Sequence, residues 1–215
     1  MIQWVYERAS RARGVDLTVV ATDDERIASV VRDFGGKVAM TSSDLASGTD
    51  RVAAVADTEK ADIYLNVQGD EPMIEPAGIE SAVDLVRSGR FTMGTVMTAL
   101  KTQAELEERS VVKVIVDKTS RAIYFSRYPI PYSRQSAPEK EFACFRHIGL
   151  YVYSRETLMR LRSLPVCDLE RGESLEQLRA LVDGIPIGCA EVEFVSIGVD
   201  TPEDLEKVKL ELKPR

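Results

Sequence analysis

Two carboxylates follow glycines at the ends of two separate apolar runs. In Ile63-Tyr-Leu-Asn-Val-Gln-Gly-Asp-Glu-Pro72 the apolar stretch stops at Gly69, and Asp70 and Glu71 follow before Pro72 bars continuation of a strand. In Ser196-Ile-Gly-Val-Asp-Thr-Pro-Glu-Asp-Leu205 a second run ends in glycine and Asp200, and a helix start follows. An acid at the carboxyl end of a buried parallel strand faces the edge where open α/β sheets bind ligands. Asp70 and Asp200 are hard oxygen donors from distant parts of the chain, which is what Mg²⁺ bound to substrate phosphates needs. Taken singly, each also reads as a turn or cap residue.

Three further groups of residues could do chemistry. Ser47-Gly48-Thr49-Asp50-Arg51 is a glycine-containing loop entering a helix, whose backbone N–H groups suit an anion or a base edge. A plain helix cap reads the same way. Gln68, just before Gly69, carries an amide that both donates and accepts, as nucleobase recognition requires, although a strand-end glutamine is commonly just solvated. Arg127 ends an apolar run and could clamp a carboxylate bidentately. His147 and Tyr151 lie four apart on an expected strand, hence on one face, either in a lined pocket or on an ordinary exposed sheet face. Glu176 and Gln177 fall early in an expected helix, where a solvated face is the default.

The elements that must position these residues alternate almost throughout. Helices are expected over 2–13, from Asp23 or Asp24 to Phe34, over 49–58 and over 75–88, with strands over 16–22, 37–41, 63–68 and 91–100. The rhythm then changes. Runs 111–116 and 122–126 around the polar turn Asp117-Lys-Thr-Ser120 read as a hairpin, and residues 128–143 as a long loop. A strand over 145–153, a helix capped by Ser154, a helix over 174–183, a strand over 188–195 and a last helix opened by Thr201 and Pro202 complete the chain. This order implies a single α/β domain over 1–215, with a mixed, mainly parallel sheet and a small antiparallel subregion.

Bulk properties close off other classes. The 215 residues are 44% hydrophobic and 29% charged, an ordinary globular composition. A net charge of −7 gives no electrostatic footprint for nucleic acid. No apolar run approaches the roughly 18 residues of a membrane span, and the N-terminus reads as an amphipathic helix, not a signal peptide. Cys144, Cys167 and Cys189 are odd in number and far apart, which suits reduced thiols in the cytoplasm. A single histidine excludes a multi-histidine zinc site.

Taken together, the chain resembles the 3-deoxy-manno-octulosonate cytidylyltransferases. The resemblance spans essentially the whole length. It is carried by Ala21-Thr-Asp-Asp24, Ser47-Gly-Thr-Asp-Arg51, Asn66-Val-Gln-Gly-Asp-Glu-Pro-Met73, Tyr124-Phe-Ser-Arg127, Arg146-His-Ile-Gly-Leu-Tyr151, Leu175-Glu-Gln-Leu-Arg179 and Gly198-Val-Asp-Thr-Pro-Glu-Asp-Leu205. Any one of these is weak, whereas their number, order and spacing are specific. The resemblance implies a Rossmann-like nucleotidyltransferase three-layer fold. It implies transfer of CMP from CTP to the eight-carbon sugar acid 3-deoxy-manno-octulosonate (Kdo) for lipopolysaccharide assembly, in a cytoplasmic, Mg²⁺-dependent homodimer. Asp70 and Asp200 would hold the metal. Ser47, Gly48, Thr49, Arg51 and Gln68 would contact the nucleotide, and Arg127, His147, Tyr151, Glu176 and Gln177 would line the sugar-acid pocket. Residues from about 111 to 195 would contribute the sugar-binding and dimer subregion.

One family motif has no counterpart. Members open with an apolar strand and a basic loop of the pattern Pro-Ala-Arg-x-x-Ser-x-Arg-x-Pro-Gly-Lys-Pro, which cradles the triphosphate. Here Met1-Ile-Gln-Trp-Val-Tyr-Glu-Arg8 matches the helix after that loop. The expectation is a chain that folds poorly or exposes an apolar groove, and turns over little or no CTP. Two alternatives follow: a noncatalytic sugar-acid or nucleotide-binding paralogue, and another sugar-acid cytidylyltransferase, such as one acting on acylneuraminate.

Overall fold

The computed structural model describes residues 1–132, 144–194, 196, 198, 199 and 201–211. Asp200 and most of the loop expected over 128–143 lie outside the described residues.

The first half alternates helix and strand. Helix α1 (Ile2–Arg11) is followed by β1 (Val20–Thr22), α2 (Glu25–Asp33), β2 (Val38–Met40), α3 (Gly48–Thr58), β3 (Ile63–Val67), α4 (Pro76–Arg87) and β4 (Met93–Ala99). Local chemistry sets these boundaries. Asp24 caps α2 by accepting from Arg26 N–H, and the chain leaves that helix through Gly35 at φ +76. Ser47 caps α3 by accepting from Asp50 N–H, and Pro76 opens α4 at its first turn. The strand expected over 16–22 is shorter, because β1 has a strand partner, parallel β2, only from Val20 onward.

The second half holds α5 (Gln103–Glu107), the hairpin β5 (Lys113–Val116) and β6 (Ala122–Ser126), the long strand β7 (Cys144–Ser154), α6 (Arg155–Ser163), α7 (Asp168–Glu173), α8 (Gln177–Val182), β8 (Ile187–Glu191) and α9 (Pro202–Glu211). The helix expected over 174–183 starts later, at Gln177, and the short α7 that precedes it was not among the expected elements. Ser174 adopts a left-handed conformation at φ 52 and closes α7, so Glu176 stands at the N-cap of α8 and not inside a helix.

The main sheet runs β6-β5-β7-β4-β8, with β3 pairing the far half of β7. Strands β3, β4, β5 and β8 share one direction, and β6 and β7 run against them. The run ending at Gln68 is therefore not a strand between parallel neighbours: β3 pairs antiparallel with β7. Among the described residues β3 has no second strand partner, and β1 pairs only with β2.

Helices cover both sheet faces. Ile148, Leu150 and Val152 of β7 meet α1 and α4 through Ala9, Ile79, Ala82 and Val83. The opposite face packs Ala53 and Ala56 of α3, Leu158 and Leu161 of α6 and Leu178 of α8 against Met93, Met97, Phe125 and Tyr153. Each fully buried leucine contributes about 1.5–3 kcal/mol. Close layer packing is visible at Gly94, where an added Cβ would stand 3.1 Å from the Ala82 carbonyl oxygen.

Candidate active site

On the face covered by α3, α6 and α8, strand β7 presents His147, Tyr151 and Tyr153 in a row. The ring centroids of His147 and Tyr151 are 5.4 Å apart, and those of Tyr151 and Tyr153 are 6.2 Å apart. The period of two thus places His147 and Tyr151 together, as the sequence leads one to expect. The face is not an exposed one. His147 is buried edge-on against Phe125, with centroids 5.1 Å apart. Burial lowers its pKa to about 3, so the imidazole is neutral. The Thr95 hydroxyl lies 2.7 Å from the Leu150 carbonyl and 3.0 Å from His147 Nε2. It has one proton, which the closer carbonyl takes, so Nε2–H donates to Thr95 and Nδ1 is left as an acceptor.

The start of α3 and the start of α8 meet over this row. Ser47 Oγ donates to Glu176 Oε1 at 2.7 Å, and Thr49 Oγ1 donates to Oε2 at 2.8 Å. Thr49 Oγ1 is also 3.3 Å from the Tyr153 hydroxyl. Burial raises the Glu176 pKa, against the two hydroxyl bonds that lower it. Gln177 is 5% exposed, and its Nε2 is buried with no hydrogen-bond partner among the described residues. A small cavity of about 10 Å³, bounded by the polar Thr49, Glu176, Gln177 and Arg179, the rings of Tyr151 and Tyr153 and the apolar Met93 and Leu161, lies at this point. The solvated helix face anticipated for Glu176 and Gln177 is therefore corrected to a buried cavity wall. The turn at Ser174 causes this, because it redirects the chain so that α8 starts under the sheet.

Beside the cavity, Gly48 packs on the amides that follow and precede Val67. An added Cβ there would stand 3.1 Å from Gln68 Nε2 and 3.3 Å from Asn66 Nδ2. Gln68 Nε2 itself donates to Asn66 Oδ1 at 3.3 Å, so the amide is partnered and not simply solvated. Arg51 is held by Asp23 at 3.2 Å and by the Thr41 hydroxyl at 2.7 Å, which ties α3 to the ends of β1 and β2.

Asp70 follows β3 in a turn closed by the Glu71 N–H to Gln68 carbonyl bond. The Asp70 carbonyl accepts from Val199 N–H at 2.8 Å, and the Ser196 hydroxyl donates to the Glu71 carboxylate. The two acid-bearing segments are thus docked through their described residues. Asp200 lies outside the described residues. Arg127 leaves β6 with its peptide N–H on Glu173 Oε2 at 2.8 Å and its side-chain Nε on the Glu173 carbonyl at 2.9 Å.

Sequence reasoning passed over Tyr153, Thr95, Glu173 and Arg179. Tyr153 lies two beyond Tyr151, so the alternation that pairs His147 with Tyr151 would have found it. Arg179 is fixed by a bidentate, largely buried pair with Glu170 at 2.8 and 2.6 Å, nine residues earlier and across the Ser174 turn. No local spacing signals that pair.

A family model described as cytidylyltransferase matches residues 1–191. A 3-deoxy-manno-octulosonate cytidylyltransferase of Solibacter usitatus is 50% identical over 97% of this chain and 82% of its own length. One from Geobacter sulfurreducens is 49% identical over 99% and 89% respectively. A solved structure of CMP:2-keto-3-deoxy-manno-octonic acid synthetase complexed with CTP superposes at a TM-score of 0.91 and is 44% identical, covering 98% of this chain and 86% of that one. The 4-diphosphocytidyl-2C-methyl-D-erythritol synthase of Anaerococcus prevotii, at 12% identity and a TM-score of 0.63, shares the fold. By sequence and by architecture, the chain belongs to the cytidylyltransferase family, among its 3-deoxy-manno-octulosonate cytidylyltransferases.

Proposed function

We propose that the chain transfers CMP from CTP to Kdo, giving CMP-Kdo and pyrophosphate for lipopolysaccharide assembly. The observation that carries this is the 50% identity, over 97% of this chain, to a protein named 3-deoxy-manno-octulosonate cytidylyltransferase, together with the meeting of Ser47, Thr49 and Glu176 over the His147–Tyr151 row.

The residues divide by chemistry. Arg127 recognises the sugar carboxylate. Neutral His147 accepts a sugar hydroxyl at Nδ1. Burial raises the pKa of Tyr151, which keeps its phenol a donor, and Glu176 accepts from further hydroxyls. On the nucleotide side, the N–H groups at the start of α3 face negative charge, and Gln68 reads the base edge. In the transfer, a sugar hydroxyl oxygen forms a bond to the α-phosphorus as the bond to the pyrophosphate oxygen breaks, and the hydroxyl proton passes to solvent. His147, with its pKa at about 3, holds the sugar and does not remove its proton. Asp70 and Asp200 supply hard oxygen donors that fit Mg²⁺, and their segments are docked through the Val199 to Asp70 bond. Mg²⁺ there would neutralise charge on the phosphates. We place the protein in the cytoplasm as a homodimer on the family resemblance. No helix among the described residues is long and apolar enough to cross a membrane.

Mass spectrometry of the protein incubated with CTP, Kdo and Mg²⁺ tests the transfer. Formation of CMP-Kdo, lost in Asp70→Ala, is expected. Kdo binding without any product would favour the noncatalytic alternative. Product from an acylneuraminate but not from Kdo would favour the third reading.

A further inference from the structure

Lys113 at the start of β5 is fully buried at 0% exposure, and among the described residues no carboxylate forms an ion pair with it. Its Nζ donates to three backbone carbonyls: Arg127 at 2.6 Å, Val111 at 2.7 Å and Glu108 at 2.9 Å. Three donors require the charged ammonium. A buried charge is costly, so the three carbonyl dipoles must offset its desolvation. The same three carbonyls would otherwise be left short of donors.

These carbonyls belong to the two pieces of backbone that hold the Arg127 side chain. One is Arg127 itself. The other two flank Arg109 and Ser110, and the Arg109 carbonyl accepts from Arg127 Nη1 at 3.4 Å. Lys113 thus fixes both the point from which the guanidinium starts and the loop on which one of its edges lands. Glu173 completes the clamp, taking the Arg127 N–H and the Ser126 hydroxyl on its carboxylate and Nε on its carbonyl. Nη2 meets no acceptor among the described residues, so one edge of the fork is held and the other is free for a carboxylate.

We propose that Lys113 is a positioning residue for acid recognition, acting through Arg127. This rests on the reading of Arg127 as the ligand of the sugar carboxylate. The discriminating readout is the ratio of affinities for Kdo and for its methyl ester, measured by calorimetry on the whole chain. A role confined to folding would lower the melting temperature and leave that ratio unchanged. Lys113→Met is expected to lower the ratio about tenfold, and Arg127→Gln to lower it at least as far. The double variant should be no worse than Arg127→Gln alone, as for residues acting in series. If Lys113→Met does not fold, Lys113→Arg takes its place. A planar fork cannot meet three carbonyls arranged for an ammonium, so the ratio should again fall. An unchanged ratio in Arg127→Gln would overturn the assignment of Arg127. A lowered ratio in Arg127→Gln with an unchanged ratio in the folded Lys113 variant would overturn the proposal for Lys113 alone.

Discussion

Gln177 lines the cavity and His147 is buried against Phe125 and Tyr151, with different energetic consequences. The Gln177 Nε2 is buried and unpartnered among the described residues, so the unliganded fold carries its desolvation cost. Gln177→Leu should raise stability by about 1 kcal/mol in thermal unfolding while weakening Kdo binding by about tenfold or more. A variant that loses stability and keeps its affinity would show that the amide is structural. His147 gives a pH signature. Burial lowers its folded pKa from 6.5 to about 3, so between these values the unfolded chain binds more protons. Its contribution to stability is complete above 6.5 and is lost as pH falls, at about 1.4 kcal/mol per pH unit. Glu176, with a raised pKa, acts with the opposite sign just above its ordinary value of 4.5. Unfolding curves at about pH 7 and about pH 5.5 should therefore differ more in the parent than in His147→Gln. Equal differences would mean that the imidazole is not desolvated.

At the scale of elements, what could be read from the sequence is what is locally determined. The caps at Asp24, Ser47 and Ser154 and the proline starts at 76 and 202 sit where side-chain chemistry places them. Helix α5 also had a local signal that went unused: Thr102 and Glu105 form a reciprocal capping box. The left-handed turn between α7 and α8 had none, because serine is an unusual residue for such a position. The central place of β7, between β4 on one side and β3 and β5 on the other, is set by long-range pairing, and so is the Lys113 to Arg127 link. The Ser174 turn allows a direct test. Ser174→Gly should stabilise the fold by about 0.5–1 kcal/mol, whereas Ser174→Val should destabilise it by more than about 1 kcal/mol, since a β-branched residue is strained there. Denaturant midpoints would decide, and no difference between the two would argue that the turn is not left-handed in solution.

Across the whole molecule, the proposed site draws on four separate stretches, residues 47–49, 126–127, 147–153 and 173–179, which hydrogen bonds and ring contacts bring together. Each overlaps a recognisable motif, but Tyr153 and Glu173 fall outside those motifs, and the meeting of the stretches through Glu176 and Glu173 had no local signal. The nucleotide side is less enclosed. Among the described residues β1 and β3 each pair with one strand only, which leaves unpaired backbone groups and partly buried apolar side chains such as Ile63 and Leu65 along β3. The protein spanning 1–215 should accordingly bind a dye such as anilinonaphthalene sulfonate and melt over a broad range. A sharp melt without dye binding would show these edges to be covered.

The central claim is that residues of α3, β7 and α8 form part of a site for a sugar acid. Calorimetric titration of Kdo into the parent chain, and into Gln177→Leu, tests it most directly. The account predicts saturable binding in the parent and a loss of about tenfold or more in the variant. No binding of Kdo to a folded parent chain, or equal affinity in both proteins, would contradict it.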